Sequence, residues 1–98
     1  MNPQLSAREL ELICSVFVLH PEITGAILYG SRAKGTAHPA SDVDIALEGI
    51  ADPLAAEAIA SELDELPLPY QFDVQAFAAI RSRLLRAHIH RVGIRIHG

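Results

Sequence analysis

Tyr29-Gly30-Ser31-Arg32-Ala33-Lys34-Gly35 and, after a short connection, Ser41-Asp42-Val43-Asp44-Ile45-Ala46-Leu47 decide how this sequence is read. The first stretch closes a continuous apolar run, Ala26 to Tyr29, of the kind found in strands buried on both faces. It therefore predicts a central strand ending in a glycine turn. In the second stretch Val43, Ile45 and Leu47 alternate with Asp42, Asp44 and Ala46, which predicts a strand carrying two carboxylates on one face.

Helices flank these strands. Ser6-Ala7-Arg8-Glu9 has the capping-box spacing, and Leu10, Ile13, Cys14 and Phe17 follow on one face, predicting a helix to about Leu19 that His20-Pro21 ends. Asp52-Pro53 supplies a cap and a first-turn proline for a second helix reaching about Leu66. After Pro67 and Pro69, Gln71 to Ala76 alternates again and presents Asp73 on its polar face. A last helix is expected from about Phe77 to His90 with Ile80, Leu84, Leu85 and His88 inward, followed by a short edge strand within Val92 to Ile96. The fold class is α/β (α+β), a small mixed β-sheet with helices packed against it, in one domain spanning residues 1–98.

Composition removes several classes of function. The chain has 98 residues, 50% of them apolar, and one cysteine, Cys14, which excludes a disulfide framework and a multi-cysteine zinc site. No stretch approaches the roughly 20 apolar residues of a membrane span, and the N-terminus has no signal-peptide pattern, so a cytoplasmic protein is expected. Lys34 is the only lysine, which argues against a general nucleic-acid surface. The net charge of −4 is unevenly spread: nine acidic residues and no Lys or Arg lie between Thr36 and Ile80, while Arg81 to Gly98 holds five arginines, three histidines and no acid. Solvated helix faces account for most of these charges. Cys14 is expected in the core, and the five histidines at the surface or in packing.

Gly30-Ser31 offers close backbone approach, a hydroxyl and unpaired helix-start amides to a phosphate, although the same pair also serves as an ordinary turn and cap. Ten residues separate Ser31 from Asp42. Two carboxylates one strand period apart repel unless a cation lies between them, and their oxygens suit hard divalent ions. Arg32 and Lys34 lie just past the turn, as phosphate contacts or as exposed charge.

Gly-Ser, ten residues, then Asp-x-Asp resembles the signature of the polymerase-beta-like nucleotidyltransferases, and Leu28 to Ala37 with Ser41 to Ala46 is similar to its minimal branch. The likeness continues through Leu68 to Val74, resembling the third-aspartate strand, and into Ile89 to Ile96. It implies that Asp42, Asp44 and Asp73 are catalytic and hold two Mg²⁺ ions, that Gly30, Ser31 and Arg32 bind the nucleotide, and that ATP is the substrate. It further implies a small helical HEPN-type partner in a hetero-oligomer, with AMP transferred to a tyrosine hydroxyl of that toxin and this chain acting as antitoxin. With one domain over residues 1–98, no acceptor-binding domain beside the motif is expected. Alternatives of other classes are a catalytically weak module that masks the partner by binding, and transfer to a small molecule.

Overall fold

The computed structural model describes residues 2–98. Along the chain run α1 (Ala7–Phe17), β1 (Gly25–Tyr29), α2 (Ser31–Lys34), β2 (Val43–Glu48), α3 (Pro53–Asp64), β3 (Phe72–Ala76), a 3₁₀ turn (Phe77–Ala79), α4 (Arg83–Val92) and β4 (Ile94–His97). The strands form one mixed sheet in the order β3-β2-β1-β4. β1 is antiparallel to both β2 and β4, whereas β2 and β3 are parallel. A parallel pair cannot be joined by a tight hairpin, and α3 provides the crossover. β1 is thus interior and β4 an edge strand, as the apolar patterns require.

The two faces of the sheet are covered unequally. α1 and α3 pack on the face formed by Ala26, Leu28, Val43, Ile45 and Leu47, together with Ile13, Phe17, Ile59 and Leu63, all at most 2% exposed. The opposite face carries a smaller cluster, Tyr29, Ala46, Ile80 and Ile89, against which Ile27, Phe77, Leu85 and Val92 pack. α4 lies over β1 on that side and leaves the Asp44 and Asp73 end open.

Local signals place the helices. Ser6 Oγ accepts from the Glu9 N–H at 3.1 Å and Glu9 Oε1 accepts from the Ser6 N–H at 2.8 Å, completing the capping box. Asp52 Oδ1 accepts from the Leu54 N–H, and Pro53 opens α3. α1 ends at Phe17, two residues before the expected stop, with Leu19 and His20 continuing only as turns back to Val16 and Phe17.

The last helix differs more. Phe77–Ala79 forms its own 3₁₀ turn, the chain extends at Ile80, and Ser82 caps a helix that starts at Arg83, its Oγ accepting from the Leu85 N–H. Starting there sets the phase so that Leu85, His88, Ile89 and Val92 line one face at i, i+3, i+4 and i+7. Leu84 falls one position off that face and is 86% exposed rather than inward. Cys14 is half-buried rather than fully interior, and its Sγ donates to the Ile96 carbonyl.

Among the described residues no helix is long and apolar enough to cross a membrane. The α4 phase can be checked by urea denaturation. Leu84→Glu should change stability by no more than about 0.5 kcal/mol, whereas Leu85→Glu, which forces a carboxylate among Tyr29 and Ala46, should cost about 2 kcal/mol or more.

Candidate active site

Parallel pairing of β2 with β3 sets Asp44 directly beside Asp73, at the strand spacing of about 4.8 Å. Asp42 precedes β2 by one residue and so lies on the same side as Asp44. On the other flank Asp44 is paired across the antiparallel ladder with Tyr29, whose side chain is buried. Asp42 and Asp73 are exposed, while Asp44 is half-buried. Burial pushes the Asp44 carboxyl up to about 6, with the negative charges of Asp73 and then Asp42 adding to the effect. Burial, Asp73 and Asp44 likewise raise the Tyr29 phenol above its ordinary value. The three aspartates expected from the sequence therefore share one field of uncompensated negative charge.

The glycine turn adjoins this cluster. Gly30 has φ +72° and ψ −154°, a conformation essentially confined to glycine, and a Cβ placed there would collide with Asp44 Oδ2. Ser31 opens α2, so its N–H and that of Arg32 have no preceding helical turn to bond to. The Gly30 N–H is different: it donates to His88 Nε2 on α4 at 3.3 Å. His88 also meets the Tyr29 ring edge-on, with centroids 6.2 Å apart. From the sequence His88 is expected only as an inward packing residue, because no local spacing links position 88 to position 30.

Arg32 has a different task from the one expected. It is 4% exposed, and its guanidinium donates to the carbonyls of Gln4, His38, Pro39 and Ser41. Its planar group also stacks 4.2 Å over the Tyr70 ring, and the Tyr70 hydroxyl donates to Glu9, whose carboxyl is held below its ordinary value by that bond. These contacts occupy the fork of Arg32 in holding the loop that delivers Asp42, in place of a phosphate. Gln4 assists by exchanging two hydrogen bonds with the Ala37 backbone. Lys34 is exposed.

Several acidic residues outside the cluster have structural partners: Glu48 pairs with Arg95 at 2.7 Å, Glu62 with His20 at 2.9 Å, and Asp52 caps α3. A groove of about 240 Å³ runs beside β3, lined by Asp73, Gln75, Pro53, Glu57 and Ala79. Among the described residues no three His, Cys, Asp or Glu side chains close into a cage for an ion. The aspartates instead offer hard oxygen donors with open sides and a charge deficit that a cation would relieve. Such a set fits Mg²⁺, which usually keeps waters and substrate phosphate oxygens among its ligands.

The sequence pattern of the polymerase beta nucleotidyltransferase family matches residues 11–98. No curated protein matches the sequence. Among solved structures, a toxin–antitoxin complex with AMP-PNP contains a chain that superposes with a TM-score of 0.78 at 24% identity, covering 91% of this chain and 73% of that one. A mutant MntA toxin–antitoxin complex gives a TM-score of 0.75 at 26% identity over 97% of this chain and 74% of that one. The complex of tri-AMPylated Shewanella oneidensis HEPN toxin with MNT antitoxin gives 0.71 at 19% identity over 93% and 71%.

Two measurements follow from the geometry. In metal-free buffer near pH 8, Asp44→Asn should stabilise the protein by on the order of 1–2 kcal/mol, because an amide has no charge to bury or to hold against Asp73 and Asp42. Burial raises this carboxyl, so its contribution favours the folded state at low pH and is lost as pH rises through about 6. The melting-temperature gap between variant and wild type should accordingly close as pH falls toward the ordinary value of 3.8. Arg32→Lys, which removes the fork and strands the loop carbonyls, should lower unfolding free energy by about 2–4 kcal/mol in urea titrations.

Proposed function

The chain belongs to the polymerase beta nucleotidyltransferase family, and from that premise we propose that it transfers AMP from ATP to a hydroxyl of a HEPN-type partner protein, a tyrosine of that toxin, and thereby acts as its antitoxin. The observation that carries this reading is the register of β2 on β3, which sets Asp44 beside Asp73 next to the Gly30-Ser31 turn. Support for the acceptor comes from the similar fold in complexes with HEPN toxin, one of them tri-AMPylated, and support for the nucleotide from the similar fold crystallised with AMP-PNP.

In this mechanism Gly30 and Ser31 cradle the β and γ phosphates, with the helix-start amides of α2 directed at their charge. Asp42 and Asp44 would hold two Mg²⁺ ions, and Asp73 would join them in holding the metal. When bound, these ions supply charge neutralisation for the in-line displacement. The acceptor oxygen forms a bond to the α-phosphorus as the bond from that phosphorus to the bridging oxygen breaks, and pyrophosphate leaves. Asp73 takes the hydroxyl proton. The groove beside Asp73 provides the approach for the acceptor segment. Tyr29 stays protonated beside the cluster and contributes apolar bulk that excludes water from one flank of Asp44. A cytoplasmic hetero-oligomer with the toxin is the working form.

Incubation with α-labelled ATP, Mg²⁺ and a co-expressed HEPN-type partner should transfer label to that partner. Asp44→Asn should reduce that transfer roughly a thousandfold while the complex still forms, since several kcal/mol of transition-state stabilisation depend on the metal-holding carboxylate. Tight complex formation with no label from the wild-type protein would instead establish a masking module.

A further inference from the structure

We propose that His88 is a positioning residue for nucleotide binding, an inference that rests on the nucleotidyltransferase reading. Its imidazole fixes the peptide between Tyr29 and Gly30, and with it the start of α2. Three features converge on that role. His88 Nε2 accepts the Gly30 N–H at 3.3 Å, so the neutral ring carries its proton on Nδ1. The ring stands edge-on to Tyr29 at an interplanar angle of 82°, which fixes its orientation from the sheet side. Ile89 and Leu85, packed with Tyr29 and Ala46, anchor the α4 face that carries it.

Gly30 is the residue for which such a strut matters. Its positive φ leaves the peptide without the steric restraint that a side chain imposes, and Asp44 fills the space where a Cβ would stand. Without an acceptor for its N–H, that peptide can rotate, and the amides of Ser31 and Arg32 rotate with it. The C-terminal helix therefore acts on a loop 58 residues away in sequence, without itself touching phosphate. It also follows that the Gly30 N–H serves the fold, so that Gly30 contributes to the phosphate cradle through the close approach its missing side chain allows, and the free donors begin at Ser31.

Two variants separate the hydrogen bond from packing. His88→Phe keeps a ring against Tyr29 and removes the acceptor, whereas His88→Gln places an amide oxygen near the position of Nε2. Titration with AMP-PNP and Mg²⁺ should give about a tenfold weaker Kd for His88→Phe, the effect of one lost hydrogen bond. His88→Gln should restore the Kd to within about twofold of wild type, and both variants should melt within a few degrees of it. Hydrogen exchange at the Gly30 amide should accelerate in His88→Phe and recover in His88→Gln. An unchanged Kd in His88→Phe, or a loss that His88→Gln fails to rescue, overturns the assignment and leaves the nucleotidyltransferase reading standing. A wild-type protein that binds no AMP-PNP removes that reading and this inference with it.

Discussion

Two carboxylates held side by side across a parallel strand pair are the constraint on which the rest of this structure turns. Like charges at adjacent ladder positions oppose folding, and burial, with Asp73 and then Asp42 adding to it, raises the Asp44 carboxyl to about 6. The sheet tolerates them because the reverse face of the same strands is closed. Val43, Ile45 and Leu47 are fully buried under α1 and α3, and their burial outweighs the repulsion on the open face. α3 is both the crossover that makes β2 and β3 parallel and the cover that keeps them together.

Polar clamps hold what apolar contacts do not reach. Between Gly35 and Asp42 nearly every side chain is exposed, so no core fixes this loop. A single buried guanidinium does so by collecting carbonyls from His38, Pro39, Ser41 and Gln4 and stacking on Tyr70. Through Tyr70 and Glu9 the same network reaches the cap of α1. The first helix, which contributes nothing to the cluster itself, is thus mechanically continuous with the segment that delivers Asp42.

Features written in local spacing were legible in the sequence. The capping box at Ser6, the Asp52-Pro53 helix start, the apolar run at Ala26 to Tyr29 and the alternation from Val43 to Leu47 all depend on neighbours a few residues apart, and each produced the expected element. The last helix starts later than its composition suggests, because two weak local signals compete. Phe77 to Ile80 has helical composition, but the Ser82 cap resets the phase, which turns Leu84 outward. Arg32 and His88 were not legible in their tasks because their partners lie at distant or unpatterned positions: carbonyls, which every residue carries, and a glycine amide 58 residues away. An arginine beside a phosphate turn reads as a phosphate ligand until the fold shows it enclosed.

Gly30 and Asp44 share one small volume: the absence of a Cβ at the first is filled by the carboxylate of the second. The two positions are therefore not free to drift independently. A side chain at position 30 must either displace the Asp44 carboxylate or wait until it has gone, while the reverse change, trimming Asp44, leaves the glycine undisturbed. The structure imposes an order on decay. In descendants that retain the scaffold and lose the chemistry, the aspartate should be the first to go, while Gly30, still held at a positive φ that other residues rarely adopt, should persist.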